Sequence, residues 1–273
     1  MERIFETNAK EDPQRLVREI SAAAREAGAI MTCAVRIQDG VKDKEGHGNY
    51  VTQYDKRVQT HLRSRLSRIL PEAAFVGEED DAGEFSSSYK KGYAFVVDPI
   101  DGTSNFIFEY RPSVTSIALL KDGVPYLAVV YNPYEDLLYT AIKGRGSYCN
   151  GRQLHSSTKL LTDSLVLFGT AAYYEDVFEE TMYAAREYLK RSVDLRRSGC
   201  AAWDLCCMAE GKAGLYFEMR IQVWDFAAGA LIAEEAGCLF MDMYGRRITY
   251  DGPSSVLCVS QGVAKEGRFL LNL

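Results

Sequence analysis

The chain has 273 residues, 47% of them hydrophobic and 11% aromatic, with a formal net charge of −6. This composition is typical of a globular protein, and the length fits one large layered α/β domain over 1–273 or two intimate halves, of about 1–145 and about 146–273. No basic block occurs, so nucleic acid is not an expected partner. No apolar run could cross a bilayer and the charged first residues do not form a signal peptide, so we expect a cytoplasmic protein with no membrane association.

The cysteines and histidines argue against two kinds of catalytic site. The seven cysteines show no paired C-x-x-C spacing and lie mostly among apolar neighbours, which indicates reduced core residues and argues against a zinc site. The three histidines, His47, His61 and His155, have no serine elbow beside them, so Ser-His-Asp chemistry has little support. Acidic residues must therefore carry any catalysis.

The N-terminal part predicts two helices. Asp12 followed by Pro13 is a typical helix start, and apolar residues at helical spacing follow it. The polar, glycine-bearing segment 39–50 predicts a mobile loop. A second helix should begin near Thr52 and end before Pro71.

Strands follow, and then strands alternate with helices. Short apolar runs at 73–77 and 93–98 are predicted strands that end in acidic residues, and 113–144 predicts an antiparallel meander because Asp-Gly and Asn-Pro turns divide it. The alternation in the second half favours α/β layering. There the predicted strands are 165–168, 193–197, 213–218, 238–242 and 256–259, and the predicted helices are 175–190, 200–211 and 225–236.

The strongest local signal is an apolar strand that runs into Asp98-Pro-Ile-Asp101, followed directly by Gly102–Ser104. Since proline fixes the backbone, both carboxylates leave the strand in a rigid turn, where they can converge on a hard cation. The next residues could open a helix whose free N–H groups receive a phosphate. The alternative is a pair of tight turns with a Thr/Ser cap and no ligand.

Other acidic positions favour the ligand site. Glu78 and Glu79 begin an acidic run that reaches Asp81 at the end of another strand, and Asp225 follows Trp224 at a helix start. Alone, the acidic run would indicate a solvated loop, and Asp225 would indicate only a favourable interaction with the helix dipole. Together with the strand end at 98–101 they indicate one site, because ligands gather at such edges in α/β folds.

The ordered set of motifs resembles that of the inositol monophosphatases, over nearly the whole chain to about residue 260. The resemblance implies a layered αβαβα sandwich and a magnesium-dependent, lithium-sensitive phosphomonoesterase that acts on a small-molecule phosphate monoester and pairs as a homodimer. The motifs are Gly77-Glu78-Glu79, Asp98-Pro-Ile-Asp101-Gly-Thr103, Trp224-Asp225, Gly229-Ala230 and Glu235-Ala236-Gly237.

The resemblance also implies metal ligands for two or three Mg²⁺ ions. Glu78, Asp98 and the backbone carbonyl of Ile100 would hold the first. Asp98, Asp101 and Asp225 would hold the second, with Asp98 bridging, and a third, weaker ion would rest on Glu78 and waters. Such ions make an acidic pocket attractive to a doubly charged phosphate ester and clamp the oxygens of an in-line displacement.

The implied catalytic residues are Thr103, Asp55, Glu78 and Glu79. Asp55 matches the carboxylate that supports Thr103, although it also completes a capping box at the start of the second helix, and both roles can hold together. A metal-activated water aligned by Glu78 and Thr103 would be the nucleophile, so no phosphoenzyme is implied. Lys44 falls where the family has a mobile-loop lysine.

Fewer residues indicate how the substrate is contacted. The segment Ser198–Ala202 matches a helix opening that approaches the substrate ring. Glu218 matches a glutamate that binds sugar or inositol hydroxyls, the alternative being an ordinary strand-end acid. Cys200 replaces the threonine or serine of better-known members, which leaves the leaving-group preference open. Arg196 could meet substrate, a subunit interface or solvent. The implied substrate-binding set is Asp101, Gly102, Thr103, Ser104, Gly199, Cys200, Ala201, Glu218 and Asp225.

The predicted reaction is Mg²⁺-dependent hydrolysis of a phosphate monoester, foremost myo-inositol monophosphate. Sister phosphatases acting on fructose 1,6-bisphosphate, histidinol phosphate or a 3′-phosphonucleotide share the metal motifs, so the sequence does not separate them. The alternative from another class is a regulatory binding module that kept the fold and lost turnover. The presence of every metal carboxylate argues against it.

Overall fold

The computed structural model describes residues 12–44, 49–80 and 90–270, so that the first eleven residues, His47 and Asp81 lie outside the described part. The helices there are α1 (Pro13–Thr32), α2 (Gln53–Ile69), α3 (Thr103–Ile107), α4 (Phe178–Leu189), α5 (Ala201–Ala209), α6 (Val223–Glu235) and α7 (Gln261–Glu266). Across these three ranges, none of the helices combines the length and the apolar character needed to span a membrane.

The strands form two sheets and one short pair. In the N-terminal half they are β1 (Lys42–Asp43), β2 (Tyr50–Val51), β3 (Ala74–Gly77), β4 (Tyr93–Asp101), β5 (Val114–Lys121), β6 (Val124–Asn132), β7 (Leu137–Ile142), β8 (Ser147–Cys149) and β9 (Arg152–Gln153). In the C-terminal half they are β10 (Leu165–Phe168), β11 (Asp194–Arg196), β12 (Leu215–Ile221), β13 (Leu239–Met241) and β14 (Ser254–Val259).

The larger sheet has seven strands in chain order, β3 to β9. β3 and β4 are parallel, so the acidic residues that follow β3 and those that end β4 lie at the same edge. β5, β6 and β7 are antiparallel neighbours, which confirms the predicted meander.

The smaller sheet has the order β11-β10-β12-β14-β13. β10 pairs in parallel with β11 and with β12, as the alternating pattern predicts. β14 lies between β12 and β13 and is antiparallel to both. The last strand of the chain therefore completes the interior of this sheet.

Side-chain alternation along the strands sets the layers. On β4, Phe95 packs with α1 and α2, whereas Val96 packs with α5 and α6. On β12, Tyr216 faces the α5–α6 side and Phe217 faces α4 and α7. The order of layers is α1/α2, seven-stranded sheet, α5/α6, five-stranded sheet, α4/α7, and the predicted αβαβα sandwich is confirmed.

Some element boundaries differ from the prediction. The segment 39–50, predicted to be a loop, contains the antiparallel pair β1 and β2. The predicted helix 175–190 begins as a 3₁₀ turn at Glu175–Val177 before α4. The helix predicted from Asp225 begins at Val223, because a capping box starts at Gln222. The short elements α7, β8 and β9 have no strong periodicity and were not predicted.

All seven cysteines are free thiols. Six of them are buried, as predicted for core residues. Cys33 is the exception, because it is the C-cap residue of α1 and is exposed.

The contact between α5 and α6 positions the start of α6, and it depends on Gly229. A Cβ at Gly229 would lie 2.7 Å from the Cβ of Leu205. Gly229→Val is therefore expected to lower the free energy of unfolding by about 1–3 kcal/mol, since an overpacked core must shift. Urea denaturation would measure it. Gly252→Val is the control, because a Cβ there meets no heavy atom within 4 Å. Equal losses in the two variants would contradict this role of Gly229.

Candidate active site

Four carboxylates converge where β3 and β4 end and α6 begins. Asp98 is 2% exposed, and burial raises its pKa well above the usual value, with further contributions from the charges of Glu78, Asp101 and Asp225. Burial also raises the pKa of Asp225 strongly, again helped by Glu78 and Asp101. Because these charges act on one another, the four carboxylates predicted to bind metal lie in one region of the fold.

The end of β4 is irregular where it carries two of these groups. The pairing of β4 with β5 shifts in register between Asp98 and Asp101. The Ile100 N–H donates to Asp98 Oδ1 at 2.9 Å, so the carboxylate folds back over its own turn. An irregularity of this kind re-aims side chains that a regular pleat would place on alternate faces.

Asp101 caps the N-terminus of α5. Its Oδ2 accepts from Ala202 N at 2.6 Å and from the Cys200 thiol at 3.2 Å, and its Oδ1 accepts from Ala201 N at 3.3 Å. Burial raises the pKa of Asp101 to about 7, although these hydrogen bonds oppose the shift. The thiol of Cys200, which is 2% exposed, therefore contacts a site carboxylate. This contact explains what the cysteine does in place of a hydroxyl.

Asp225 lies in the first turn of α6 and is held there by the capping box. Its Oδ2 accepts from Gln222 N at 3.2 Å. The Gln222 side chain in turn donates to the hydroxyl of Tyr174 at 2.9 Å. Neither Gln222 nor Tyr174 was singled out from the sequence.

Asp55 makes the hydrogen bonds expected for both of its predicted roles. Its Oδ2 accepts from the Thr52 N–H at 2.8 Å and from the Thr52 hydroxyl at 2.6 Å, which closes the capping box of α2. Its Oδ1 is 3.2 Å from the hydroxyl of Thr103, which also lies 3.0 Å from the carbonyl oxygen of Ile100. Burial raises the pKa of Asp55 to about 6, so the group is ionised at neutral pH and can accept a proton.

The segment after Asp101 opens the helix α3, as predicted. Gly102 has φ +85°, and a Cβ there would also crowd the Pro112 carbonyl at 3.0 Å, so the position requires glycine. Ser104 is half-buried in the first turn of α3. Asn105, which sequence reasoning missed, donates to Pro112 O at 2.7 Å and Ser198 O at 2.8 Å. It thereby ties α3 to the segment that carries Gly199.

Lys44 provides a cation beside the cluster. Its ammonium lies 3.0 Å from Glu78 Oε1 and also bonds Glu79. Burial alone would lower the pKa of Lys44, but the charges of the two glutamates raise it above the usual value, so the ammonium stays charged. Burial and the charge of Glu78 raise the pKa of Glu79 to about 7.

Of the two remaining candidates, Glu218 lies close enough to the cluster for its charge to raise the pKa of Asp225, whereas Arg196 is exposed on β11. Glu218 accepts from Ala171 N at 3.2 Å and from the hydroxyl of Tyr216 at 2.8 Å. Part of its hydrogen-bonding capacity is therefore used within the protein. Arg196 is exposed and pairs with Asp194 on its own strand.

The donor set suits magnesium. All four side chains are carboxylates, and a backbone carbonyl lies between two of them in sequence, which are the hard oxygen ligands this ion prefers. In the described part of the chain, no three His, Cys, Asp or Glu side chains are already arranged around one ion position. Their present partners are helix N–H groups and Lys44, so an ion requires these side chains to turn toward one another.

Known proteins share both fold and sequence. The model of the inositol monophosphatase family matches residues 12–270. An inositol-1-monophosphatase of Rhizobium meliloti (strain 1021) is 31% identical over 246 residues, which cover 90% of this chain and 88% of that protein. The crystal structure of the extragenic suppressor protein suhB from Bartonella henselae matches with a TM-score of 0.83 and 28% identity, covering 93% of this chain and 98% of that one.

Another similar structure, SaIMPase-II, is known with two ligands. With inositol monophosphate bound it matches with a TM-score of 0.77 and 26% identity, over 93% of each chain. With 2′AMP bound it matches with a TM-score of 0.79 and 27% identity, over 94% of each chain.

The fold and these relatives together define a phosphoric monoester hydrolase. The chain belongs to the inositol monophosphatase family, since the family model spans nearly all of it. The resemblance seen in the sequence is thereby confirmed, and the family is one of generally metal-dependent enzymes.

The raised pKa values predict how magnesium binding depends on pH. Asp101, with a pKa of about 7, holds a proton at about pH 6 that a cation must displace, and it has lost this proton at about pH 8. Magnesium should therefore bind about tenfold more tightly at the higher pH, from this one proton alone. Calorimetric titrations in buffers of different ionisation enthalpy would count the released protons. An affinity independent of pH over this range would contradict the prediction.

Proposed function

We propose that this protein catalyses Mg²⁺-dependent hydrolysis of small phosphate monoesters, with myo-inositol monophosphate foremost. The observation that carries the proposal is the carboxylate cluster at Asp98, set beside the hydrogen-bonded pair Thr103 and Asp55. The inositol monophosphate bound in SaIMPase-II supports the choice of substrate. Lithium inhibition and a homodimer also belong to the proposal, on the resemblance alone.

The carboxylates would divide between two ions. Glu78, Asp98 and the Ile100 carbonyl would hold one, and Asp98, Asp101 and Asp225 the other. When bound, magnesium would neutralise the phosphate charge and lower the pKa of the attacking water. The protein's contribution is to hold these oxygens against their mutual repulsion, which the capping hydrogen bonds to Asp101 and Asp225 do.

The attacking water needs an acceptor for its proton. The Thr103 oxygen can accept a hydrogen bond from the water while its own proton points to Asp55 Oδ1, 3.2 Å away. As the new P–O bond forms, a proton can pass through Thr103 to Asp55, whose pKa of about 6 suits this task at neutral pH. The bond from phosphorus to the alcohol breaks with its electron pair on the alcohol oxygen, which takes up a proton from solvent, and Asp55 returns the water's proton to solvent.

The proposal leaves open which alcohol is the leaving group. SaIMPase-II binds 2′AMP as well as inositol monophosphate, so a neighbour of this fold accommodates unlike alcohols. A non-catalytic module of the same fold is the alternative of another class, and the membership of the inositol monophosphatase family argues against it. Measuring magnesium-dependent phosphate release from inositol, sugar, histidinol and nucleotide monophosphates tests the leaving-group preference and the non-catalytic alternative in one experiment. Release that persists in excess chelator would refute the metal mechanism, and no release from any ester would favour the module.

Asp98 is the most sensitive position for turnover. Asp98→Asn should lower kcat by about 10³-fold or more, because a charge shared by two ions is worth several kcal/mol and each 1.4 kcal/mol is about tenfold. The far-ultraviolet circular dichroism should stay unchanged, since Asn can still accept from Ile100 N. The exposed Asp163→Asn is the matched control. A variant that kept a tenth of the wild-type rate would remove Asp98 from the bridging role.

Experiments on Thr103 distinguish whether its hydroxyl aligns the attacking water or attacks phosphorus itself. Thr103→Ala should lower turnover by about 10²–10⁴-fold, the usual range for general-base catalysis, with magnesium binding retained, while Thr103→Ser should keep a good fraction. Thr60→Ala, on the exposed face of α2, serves as the control. A chirally labelled phosphate ester should give inversion at phosphorus with wild-type enzyme. Net retention, or phosphate trapped on Thr103, would instead identify a covalent intermediate.

A further inference from the structure

The start of α6 follows an irregular stretch of strand. β12 ends at Ile221, and its pairing with β14 shifts in register between Glu218 and Ile221. Gln222 comes next and is the N-cap residue of α6, with an extended backbone at φ −81° and ψ 156°. Its N–H donates to Asp225 Oδ2 at 3.2 Å, and its carbonyl oxygen accepts from Asp225 N at 3.2 Å. Because these two bonds join Gln222 to Asp225, the placement of Gln222 affects where Asp225 lies.

The side chain of Gln222 attaches this N-cap to a different segment of the chain. Its Nε2 donates to the hydroxyl of Tyr174 at 2.9 Å, across 48 residues of sequence. Tyr174 is itself held in place, since its N–H donates to Ala171 O at 2.9 Å and the Arg220 guanidinium lies 4.1 Å from its ring centroid. Both Tyr174 and Gln222 are half-buried, so water competes less for this hydrogen bond than it would at an exposed site.

The two attachments of Gln222 respond differently to a cation. The bond from its N–H uses the Asp225 carboxylate, which the proposed function assigns to magnesium. An ion and an N–H donor compete for the lone pairs of one carboxylate, so an ion that binds Asp225 weakens this bond. The bond from the Gln222 side chain to Tyr174 involves no carboxylate and can stay in place.

We propose that Tyr174 and Gln222 are positioning residues for magnesium binding, whose hydrogen bond fixes the N-cap of α6 while Asp225 exchanges the Gln222 N–H for the ion. A ligand whose backbone is already fixed loses less conformational freedom when it binds, so the pair raises the affinity of the ion that Asp225 holds. Both residues act through Asp225. The inference rests on the proposed function, which assigns Asp225 to that ion.

Calorimetric titration of the full chain with magnesium chloride tests the inference. Tyr174→Phe removes the hydroxyl and keeps the ring beside Arg220, so it should weaken magnesium binding about 3- to 10-fold, the range expected for one neutral hydrogen bond. Tyr183→Phe is the matched control and should bind magnesium as the wild type does. Tyr183 is 40% exposed on α4, and its ring also lies beside an arginine, Arg186, at 5.4 Å.

Thermal melting separates this role from a general loss of stability. The rise in melting temperature that magnesium produces should be smaller in Tyr174→Phe than in Tyr183→Phe. A loss of stability that is the same with magnesium and with chelator would leave this rise unchanged, and would contradict the positioning role.

Two double variants test whether the residues act as a pair and through Asp225. Tyr174→Phe combined with Gln222→Ala should bind magnesium no more weakly than Gln222→Ala alone, because the partner of the hydroxyl is already gone. In the background of Asp225→Asn, Tyr174→Phe should change the affinity by less than about 1.5-fold, because the carboxylate through which it acts has been replaced. Wild-type affinity in Tyr174→Phe, or an undiminished effect in the Asp225→Asn background, would overturn the inference. A wild-type protein that bound no magnesium would instead contradict the proposed function.

Discussion

Repulsion among Asp98, Asp101, Asp225 and Glu78 is the constraint on which the rest of the structure depends. Glu78 follows β3, Asp98 and Asp101 end β4, and Asp225 begins α6. Glu78, Asp101 and Asp225 each raise the pKa of at least one other carboxylate of the four. No single local segment could bring them together. The parallel pair β3–β4 and the placement of α6 between the two sheets do so, and core packing supplies the free energy that offsets the repulsion.

The N-termini of three helices also stabilise the carboxylates. Asp55 caps α2, Asp101 accepts from the first N–H groups of α5, and Asp225 completes the capping box of α6. An N-terminus with free N–H groups stabilises a nearby negative charge, so three helices partly neutralise the acids that the site requires. The structural and functional interpretations of these residues are therefore two aspects of one arrangement. That is why local patterns alone could not decide between them.

The sequence predicted the parts of the fold that local chemistry determines. Helix caps, the strand meander and the motif ending at Asp101 were visible because turn residues and periodicity mark them. The five layers and the site came from the resemblance. Contacts between segments distant in sequence could not be predicted in this way. Examples are the thiol of Cys200 on Asp101, the Asn105 amide on the Ser198 carbonyl, and the Gln222 amide on the Tyr174 hydroxyl.

The hydrogen bonding of Asp55 has a consequence for how such a chain can change. One of its oxygens holds the cap of α2 and the other faces the hydroxyl of Thr103. An asparagine there could keep the first contact with its carbonyl oxygen and offer an amide donor to the second. The hydroxyl would then lose its proton acceptor while the helix end stayed satisfied. On the proposed mechanism, exchange of a single oxygen for a nitrogen would lower turnover and leave the scaffold intact.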